Sequence, residues 1–154
     1  LNLWVYGHTA DGYENWHSDK GSTNMTQYWG PSMKDRPMAM GAMKARYENR
    51  DGNAIWACAD KVNSESDQPM SNKLMIVLSD GQPAAYNYGG YTGVEHVKGI
   101  VKDLECRGWG IIQIGFGGAN DESMKNMFSN YVRVNESSML PAKLSKIMRK
   151  VMKL

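Results

Sequence analysis

Two segments of the chain have the pattern of strands buried on both faces. Residues 74–78 are a continuous apolar run, and residues 110–116 are predicted to be a second buried strand through Ile111, Ile112 and Ile114. Runs of this kind are typical of parallel strands that helices cover on both sides. Residues 1–9 instead alternate apolar with polar or aromatic side chains, which predicts a strand at the start of the chain. Residues 131–134 are predicted to form a last, short strand.

Helical periodicity fills the intervals between these strands. A helix over residues 52–62 follows Asp51, which is predicted to be its N-cap. Further helices are predicted over residues 94–107 and 121–128, and Ser138 is predicted to cap a last one. The positions predicted to face the core share apolar character and helical spacing: Ile55, Cys58, Ala59, Val62, Val94, Val97, Val101, Leu104, Leu144, Ile147, Met148 and Val151.

From Asp51 onwards the order is helix, strand, helix, strand, helix, strand, helix. Such alternation implies parallel strands with helices on both faces. The sequence therefore predicts an α/β, Rossmann-like fold with a largely parallel central sheet. Residues 10–37, rich in polar, aromatic, glycine and proline residues, are predicted to be a long loop or insertion. Residues 37–46 are predicted to be a short helix, and residues 86–93 a loop rich in tyrosine and glycine.

Composition excludes several classes of protein. The chain has 154 residues, 42% hydrophobic and 22% charged, which suits one soluble domain. The net charge of +2 is too small to indicate a nucleic-acid partner. No apolar run approaches the roughly 20 residues of a membrane span, and no signal peptide is visible. Two isolated cysteines fit a reducing compartment, so a cytoplasmic location is expected. Because the first residue is Leu, we expect this to be a fragment.

Asp80 is the sharpest candidate for chemistry. In open parallel sheets ligands bind at the carboxyl ends of the strands, and Asp80 directly follows the apolar run that ends at Leu78 and Ser79. Gly81 lets the chain turn at once. Carboxylate and hydroxyl oxygens suit Mg²⁺, which keeps several waters. The alternative is that Asp80 caps a turn or the next helix.

Other residues at the same edge are candidates for contact with a partner. They are His8, Thr9, Gly81, Tyr86 and Gly117. For His8, a hydrogen-bonded structural imidazole is the simpler interpretation. The glycines at residues 115–118 do not form a phosphate loop, because no Gly-Lys-Ser/Thr follows. No Ser-His-Asp arrangement is evident.

Three segments resemble von Willebrand factor type A (VWA) domains, and most nearly the VWA subunit of cobaltochelatase. Residues 73–83, Lys-Leu-Met-Ile-Val-Leu-Ser-Asp-Gly-Gln-Pro, are similar to the strand and metal-site turn of that family. Residues 48–57 and 110–118 are similar to the segment before that strand and to the strand after it. The opening Tyr-Gly-His-Thr resembles the family's second strand. The resemblance implies that residues 1–154 are one VWA-like domain.

The resemblance implies a metal-ion-dependent adhesion site with Asp51 and Asp80 among its ligands. For Asp51 the alternative is a pure N-cap role. The site's first part, an Asp-x-Ser-x-Ser loop, occurs nowhere in these residues. We therefore expect the family's first strand and helix to precede Leu1. That strand is central in the family's sheet, so its absence is expected to split the sheet between the opening strand and the strand at residues 74–78.

The function implied is metal-dependent protein interaction, without catalytic activity of its own. A bound Mg²⁺, with Mn²⁺ or Ca²⁺ as alternatives, would leave one coordination position for a carboxylate of a partner protein. By analogy the partner is an AAA+ ATPase of the MoxR/chelatase type, and the chain a non-catalytic adaptor subunit of a metal chelatase. Two alternatives stay open: a metal-dependent hydrolase on a Rossmann-like sheet, and a structural VWA domain without metal.

Overall fold

Three parallel strands form the larger sheet of the protein. The computed structural model describes residues 2–10, 21–33, 37–44, 46–66 and 72–152. The strand order is β3 (Lys73–Ser79), β4 (Trp109–Phe116) and β5 (Tyr131–Val134), with β4 in the middle. Because it is paired on both sides, β4 is the most deeply buried strand, and its residues from 111 to 115 are all buried.

Helices cover both faces of this sheet, as the alternating element order predicts. On one face, α1 (Asp51–Glu65) and α2 (Gly90–Cys106) pack on Met75 and Ile111 through a cluster that also holds Phe128. Phe128 directly follows the short helix α3 (Asp121–Met127). On the other face, α4 (Leu140–Met152) covers the smaller cluster of Ile112, Ile114 and Val134. The α/β, Rossmann-like architecture is therefore confirmed.

The opening strand belongs to a separate, two-stranded sheet. Strand β1 (Val5–Ala10) pairs antiparallel with β2 (Thr23–Trp29). The indole Nε1 of Trp4 donates to Glu65 Oε2 across 2.8 Å, which fastens this hairpin to the end of α1. Burial and the nearby Glu65 carboxylate raise the pKa of Tyr6 to about 12. The hairpin thus packs on the same helix that covers the larger sheet.

The expected division of the sheet is confirmed. Strands β1 and β3 each pair on one side only among the described residues, so each presents an open edge. On β3 the apolar side chains of Ile76 and Leu78 are 38% and 64% exposed. At the carboxyl ends the two sheets are joined by residues 48–49, since Glu48 pairs with Ala10 and Asn49 pairs with Ala84.

Several predictions of local structure differ from the structure. Strand β2 lies inside residues 10–37, which were predicted to be loop; residues 11–20 of that stretch lie outside the described residues. The short helix predicted over residues 37–46 is a shorter 3-10 helix, Pro37–Ala42. Helix α2 begins at Gly90, four residues before the predicted start. The N-cap of α1 is Arg50, so Asp51 is the first helical residue and not the cap.

The remaining helix ends follow local chemistry. Asn120 caps α3, because its side-chain oxygen accepts the backbone N–H groups of Glu122 and Ser123 across 2.8 and 3.3 Å. Ser138, the predicted cap of the last helix, lies instead within a 3-10 turn, Ser137–Met139, that precedes α4. The apolar positions predicted for α4 do face the core, where they pack against Ile112 and Ile114.

Candidate functional site

The turn after β3 exposes Asp80 to solvent, while hydrogen bonds fix the residues on either side of it. The Ser79 hydroxyl accepts the Gly81 N–H across 3.0 Å. Asp80 Oδ1 lies 3.4 Å from the Gln82 amide nitrogen, which is long for a hydrogen bond, and the side chain is exposed. A carboxylate in this position retains most of its capacity to accept further donors or to bind a cation. The long contact with Gln82 is partly consistent with the alternative prediction, that Asp80 caps the turn.

Gly81 is buried and fastens the turn to the loop after β4. It has φ +96°, a conformation that L side chains rarely adopt, and its carbonyl accepts the Ser123 hydroxyl across 3.0 Å. Gly81 was predicted to contact a partner, but it lies beneath the surface, where it determines the shape of the turn. The position of Asp80 is therefore determined from two strands and from α3.

Asp51 lies behind this turn, at the start of α1. It is only 4% exposed. Its Oδ1 accepts the Asn49 side-chain amide across 3.0 Å and lies 3.4 Å from His8 Nε2. The Asn49 amide donor, the nearby His8 imidazole and the positive end of a helix dipole make a buried carboxylate tolerable at this place. His8, at the carboxyl end of β1, makes this contact through Nε2, and its Nδ1 is buried without a hydrogen-bond partner among the described residues.

Asn49 was not singled out by sequence reasoning, and it is the residue that connects these parts. Its Nδ2 donates to Asp51 Oδ1 and to the Gln82 carbonyl, each across 3.0 Å, and its Oδ1 accepts the Ala84 N–H across 3.1 Å. Its position in the sequence could have indicated this role: Asn49 lies two residues before Asp51, which begins a helix, and Asn side chains bind backbone groups in turns. Through Asn49 and Gln82, Asp51 and Asp80 belong to one hydrogen-bonded surface.

The other predicted contact residues are spread around this surface. The Thr9 hydroxyl donates to the Arg46 carbonyl across 3.2 Å. Gly117, exposed and with φ +60°, ends β4. Tyr86 is 50% exposed, and its carbonyl accepts the Arg50 guanidinium. We call His8, Thr9, Asn49, Asp51 and the turn at residues 79–82 the rim.

A second polar contact holds the loop that carries Tyr86. The buried Tyr88 hydroxyl accepts the Gly52 N–H across 3.1 Å and lies 2.7 Å from His96 Nδ1, while the Arg50 guanidinium lies 5.1 Å from the ring centroid. Burial raises the pKa of Tyr88, and the Asp51 charge adds to this, whereas the Gly52 N–H and Arg50 oppose it. The loop is anchored on α1 and α2, so Tyr86 is presented from a fixed base.

The oxygen ligands that the rim offers suit a hard cation only in part. Within residues 2–10, 21–33, 37–44, 46–66 and 72–152, no group of three or more His, Cys, Asp or Glu could hold a metal ion. Mg²⁺ is, however, commonly bound through one or two carboxylates with several waters retained. Exposed Asp80 fits that description, whereas Asp51 is buried and its Oδ1 already accepts the Asn49 amide. Of the two carboxylates, Asp80 is the one whose oxygens are accessible to a cation.

The comparisons with known proteins bear on the fold alone. No family model matches the chain, and no curated protein matches it. One solved structure that it resembles is an aerotolerance-related membrane protein from Bacteroides fragilis, crystallised with multiple mutations to serines. The two share 15% identity and superpose with a TM-score of 0.54, over 88% of this chain and 76% of the other. The likeness supports the Rossmann-like, VWA-like arrangement of elements and carries no information about activity.

Within the described part of the chain, no helix has both the length and the apolar character needed to cross a bilayer.

Proposed function

We propose that this chain is a protein-interaction module on a VWA-like fold, and that the rim is its binding surface. The observation that supports this most directly is the exposed Asp80 carboxylate, which follows a parallel strand and stands in a turn held from two sides. Ligands of open parallel sheets bind at such strand ends. The exposed ring of Tyr86, on an anchored loop that begins in the same turn, adds a side-chain type that is enriched at interfaces.

The proposal includes a divalent cation on Asp80, with Mg²⁺ as the first choice and Mn²⁺ or Ca²⁺ as alternatives. The cation would supply a strong local positive charge and an open position for a partner's carboxylate. Asp51 would contribute its negative charge from beneath the surface without direct ligation. The Asn49 amide orients that carboxylate by donating to its Oδ1, and His8 Nε2 lies 3.4 Å from the same oxygen.

The partner proposed is a protein that offers a carboxylate, as the resemblance to chelatase VWA subunits implies. In that setting the chain is a non-catalytic adaptor beside an AAA+ ATPase of the MoxR/chelatase type. This finer statement rests on sequence resemblance, because the structural likeness to the Bacteroides protein is a likeness of fold.

The cation is tested by titrating the full chain with Mn²⁺ and following water proton relaxation. A bound Mn²⁺ that retains exchanging waters enhances the relaxation rate, so the signal reports both binding and open coordination positions. We expect saturable binding by the wild type and by the control Asp60→Ala, which removes an exposed carboxylate from α1. Asp80→Ala is expected to weaken binding by about tenfold or more. Equal binding by Asp80→Ala and the wild type would exclude Asp80 as the ligand.

The partner's chemistry is tested on the Mn²⁺-loaded chain. The probe is a short alanine-rich peptide with one Glu, and the control peptide carries Gln at the same place. A Glu carboxylate that enters the open position displaces water, so the relaxation enhancement should fall with the Glu peptide and not with the Gln peptide. An identical response to the two peptides would contradict carboxylate recognition.

A further inference from the structure

Asn49 uses all of its polar side-chain atoms to join two parts of the rim. One amide hydrogen goes to Asp51 Oδ1 and the other to the Gln82 carbonyl, while its Oδ1 accepts the Ala84 N–H. Its main chain adds a second link, since its N–H donates to the Ala84 carbonyl across 2.8 Å and its carbonyl accepts from Ala84 across 3.2 Å. No other side chain of the rim bonds to both α1 and the turn after β3.

We propose that Asn49 is a positioning residue: it holds Asp51 and the loop after Asp80 in one fixed arrangement, so that neither moves without the other. The consequence for ligand binding rests on the proposed function, whereas the coupling itself does not. The chain of contacts runs from Asp51 through Asn49 to Gln82, whose amide nitrogen approaches Asp80 Oδ1. The next residues of the loop carry Tyr86.

The chemistry of this position favours asparagine over its close relatives. Aspartate would keep an acceptor for the Ala84 N–H but would place a carboxylate oxygen 3.0 Å from Asp51 Oδ1 and from the Gln82 carbonyl, where asparagine has donors. Alanine would remove all three side-chain bonds and leave the paired main chain in place. The two variants therefore separate the donor function from the acceptor function.

The coupling is tested by amide hydrogen exchange, measured by NMR on the full chain. The Ala84 N–H has two acceptors, the Asn49 Oδ1 at 3.1 Å and the Asn49 carbonyl at 3.2 Å. Asn49→Ala removes the first and keeps the second, so we expect the Ala84 amide to exchange about two- to fivefold faster. The core amides of Val97 and Ile111 should keep their wild-type rates. The matched control is Asn53→Ala, which removes an exposed side-chain amide from α1. It should change the exchange rates of neither Ala84 nor the core amides. Unchanged exchange at Ala84, or equal acceleration at Ala84, Val97 and Ile111, would overturn the proposal.

Asn49→Asp gives an independent outcome. With its acceptor kept and its donors lost, Ala84 should exchange about as in the wild type, whereas the chemical shifts of Gln82 and Asp51 should move. If Ala84 loses protection in Asn49→Asp as it does in Asn49→Ala, the assignment of separate donor and acceptor functions is wrong.

Cation binding then distinguishes this inference from the proposed function. If Asp80 holds a cation, Asn49→Ala should weaken Mn²⁺ binding by several fold, while Asn53→Ala leaves it unchanged. A wild-type chain that binds no Mn²⁺ would end the metal proposal, and the exchange rates of Ala84 would still decide whether Asn49 couples the two parts.

Discussion

Gly81 lies against Ala119 so closely that a Cβ on Gly81 would come within 3.1 Å of the Ala119 Cβ and 3.2 Å of its Cα. The two residues belong to the turns that follow β3 and β4, and the contact sets the distance between these turns. Gly81 also has φ +96°, so two separate causes require glycine here. The turn that carries Asp80 therefore depends on a close approach between neighbouring strand ends.

Gly81→Ala is expected to lower the free energy of unfolding by about 2–3 kcal/mol, because strain at positive φ and crowding against Ala119 act together. Gly117→Ala is the matched control: its φ is +60°, but no atom lies within 4 Å of the added Cβ. For Gly117→Ala we expect the free energy of unfolding to fall by about 1–2 kcal/mol, because only backbone strain acts there. Urea unfolding of both variants measures the difference, and equal losses would show that the Ala119 contact is unimportant.

Tyr88→Phe is expected to destabilise the chain by about 1–3 kcal/mol. The hydroxyl accepts the buried Gly52 N–H, and a phenylalanine would leave that donor without a partner. The control is Tyr91→Phe, whose ring is 80% exposed and whose loss should stay within about 0.5 kcal/mol. Thermal unfolding compares the two variants. A Tyr88→Phe variant as stable as the wild type would show that the Tyr88 hydroxyl does not anchor the loop.

Leu78→Lys is expected to reduce self-association without loss of stability. Leu78 is 64% exposed on the open edge of β3, and open edges with apolar side chains promote association between chains. Light scattering after size exclusion should show less oligomer in this variant. Met139→Lys, at an exposed apolar site away from that edge, is the control. A similar decrease in both would point to general hydrophobicity and not to the strand edge.

The two thiols are expected to react at very different rates. Burial raises the pKa of the Cys58 thiol to about 11 from 9.0, whereas Cys106 is exposed. A shift of two units lowers the thiolate fraction near pH 8 about 100-fold, and the thiolate is the reactive form. In Cys106→Ser the remaining thiol should thus react with a disulfide reagent about 100-fold more slowly when folded than in urea. Comparable rates in the two states would contradict the burial.

The same shift predicts a loss of stability at alkaline pH. Because the folded-state pKa of Cys58 is raised, its contribution is complete below pH 9 and is lost as the pH rises through about 11. Urea unfolding at several pH values should show this decline, and Cys58→Ala should show less of it.

Much of the larger sheet follows from local patterns. The continuous apolar run from Leu74 predicted β3 within a residue or two. The predicted burial on both faces was wrong for this strand, because it lies at an open edge where Ile76 and Leu78 are 38% and 64% exposed. The start of α2 was harder to predict, since Gly90 and Gly93 are poor helix formers. Packing explains this case: a Cβ on Gly93 would lie 2.9 Å from Pro83 and 3.0 Å from the Tyr88 carbonyl, so the helix needs glycine there.

By itself the sequence determined the α/β class, the helices' core faces and the exposed place of Asp80, because periodicity and strand ends are properties of short segments. Only the tertiary structure decided that Thr23–Trp29 is a strand, since its polar pattern becomes a strand through pairing with β1. It likewise decided that His8 and Asn49 converge on Asp51, and that Asn49 reaches Ala84, 35 residues away. Such contacts depend on how distant elements are placed, which no local pattern encodes.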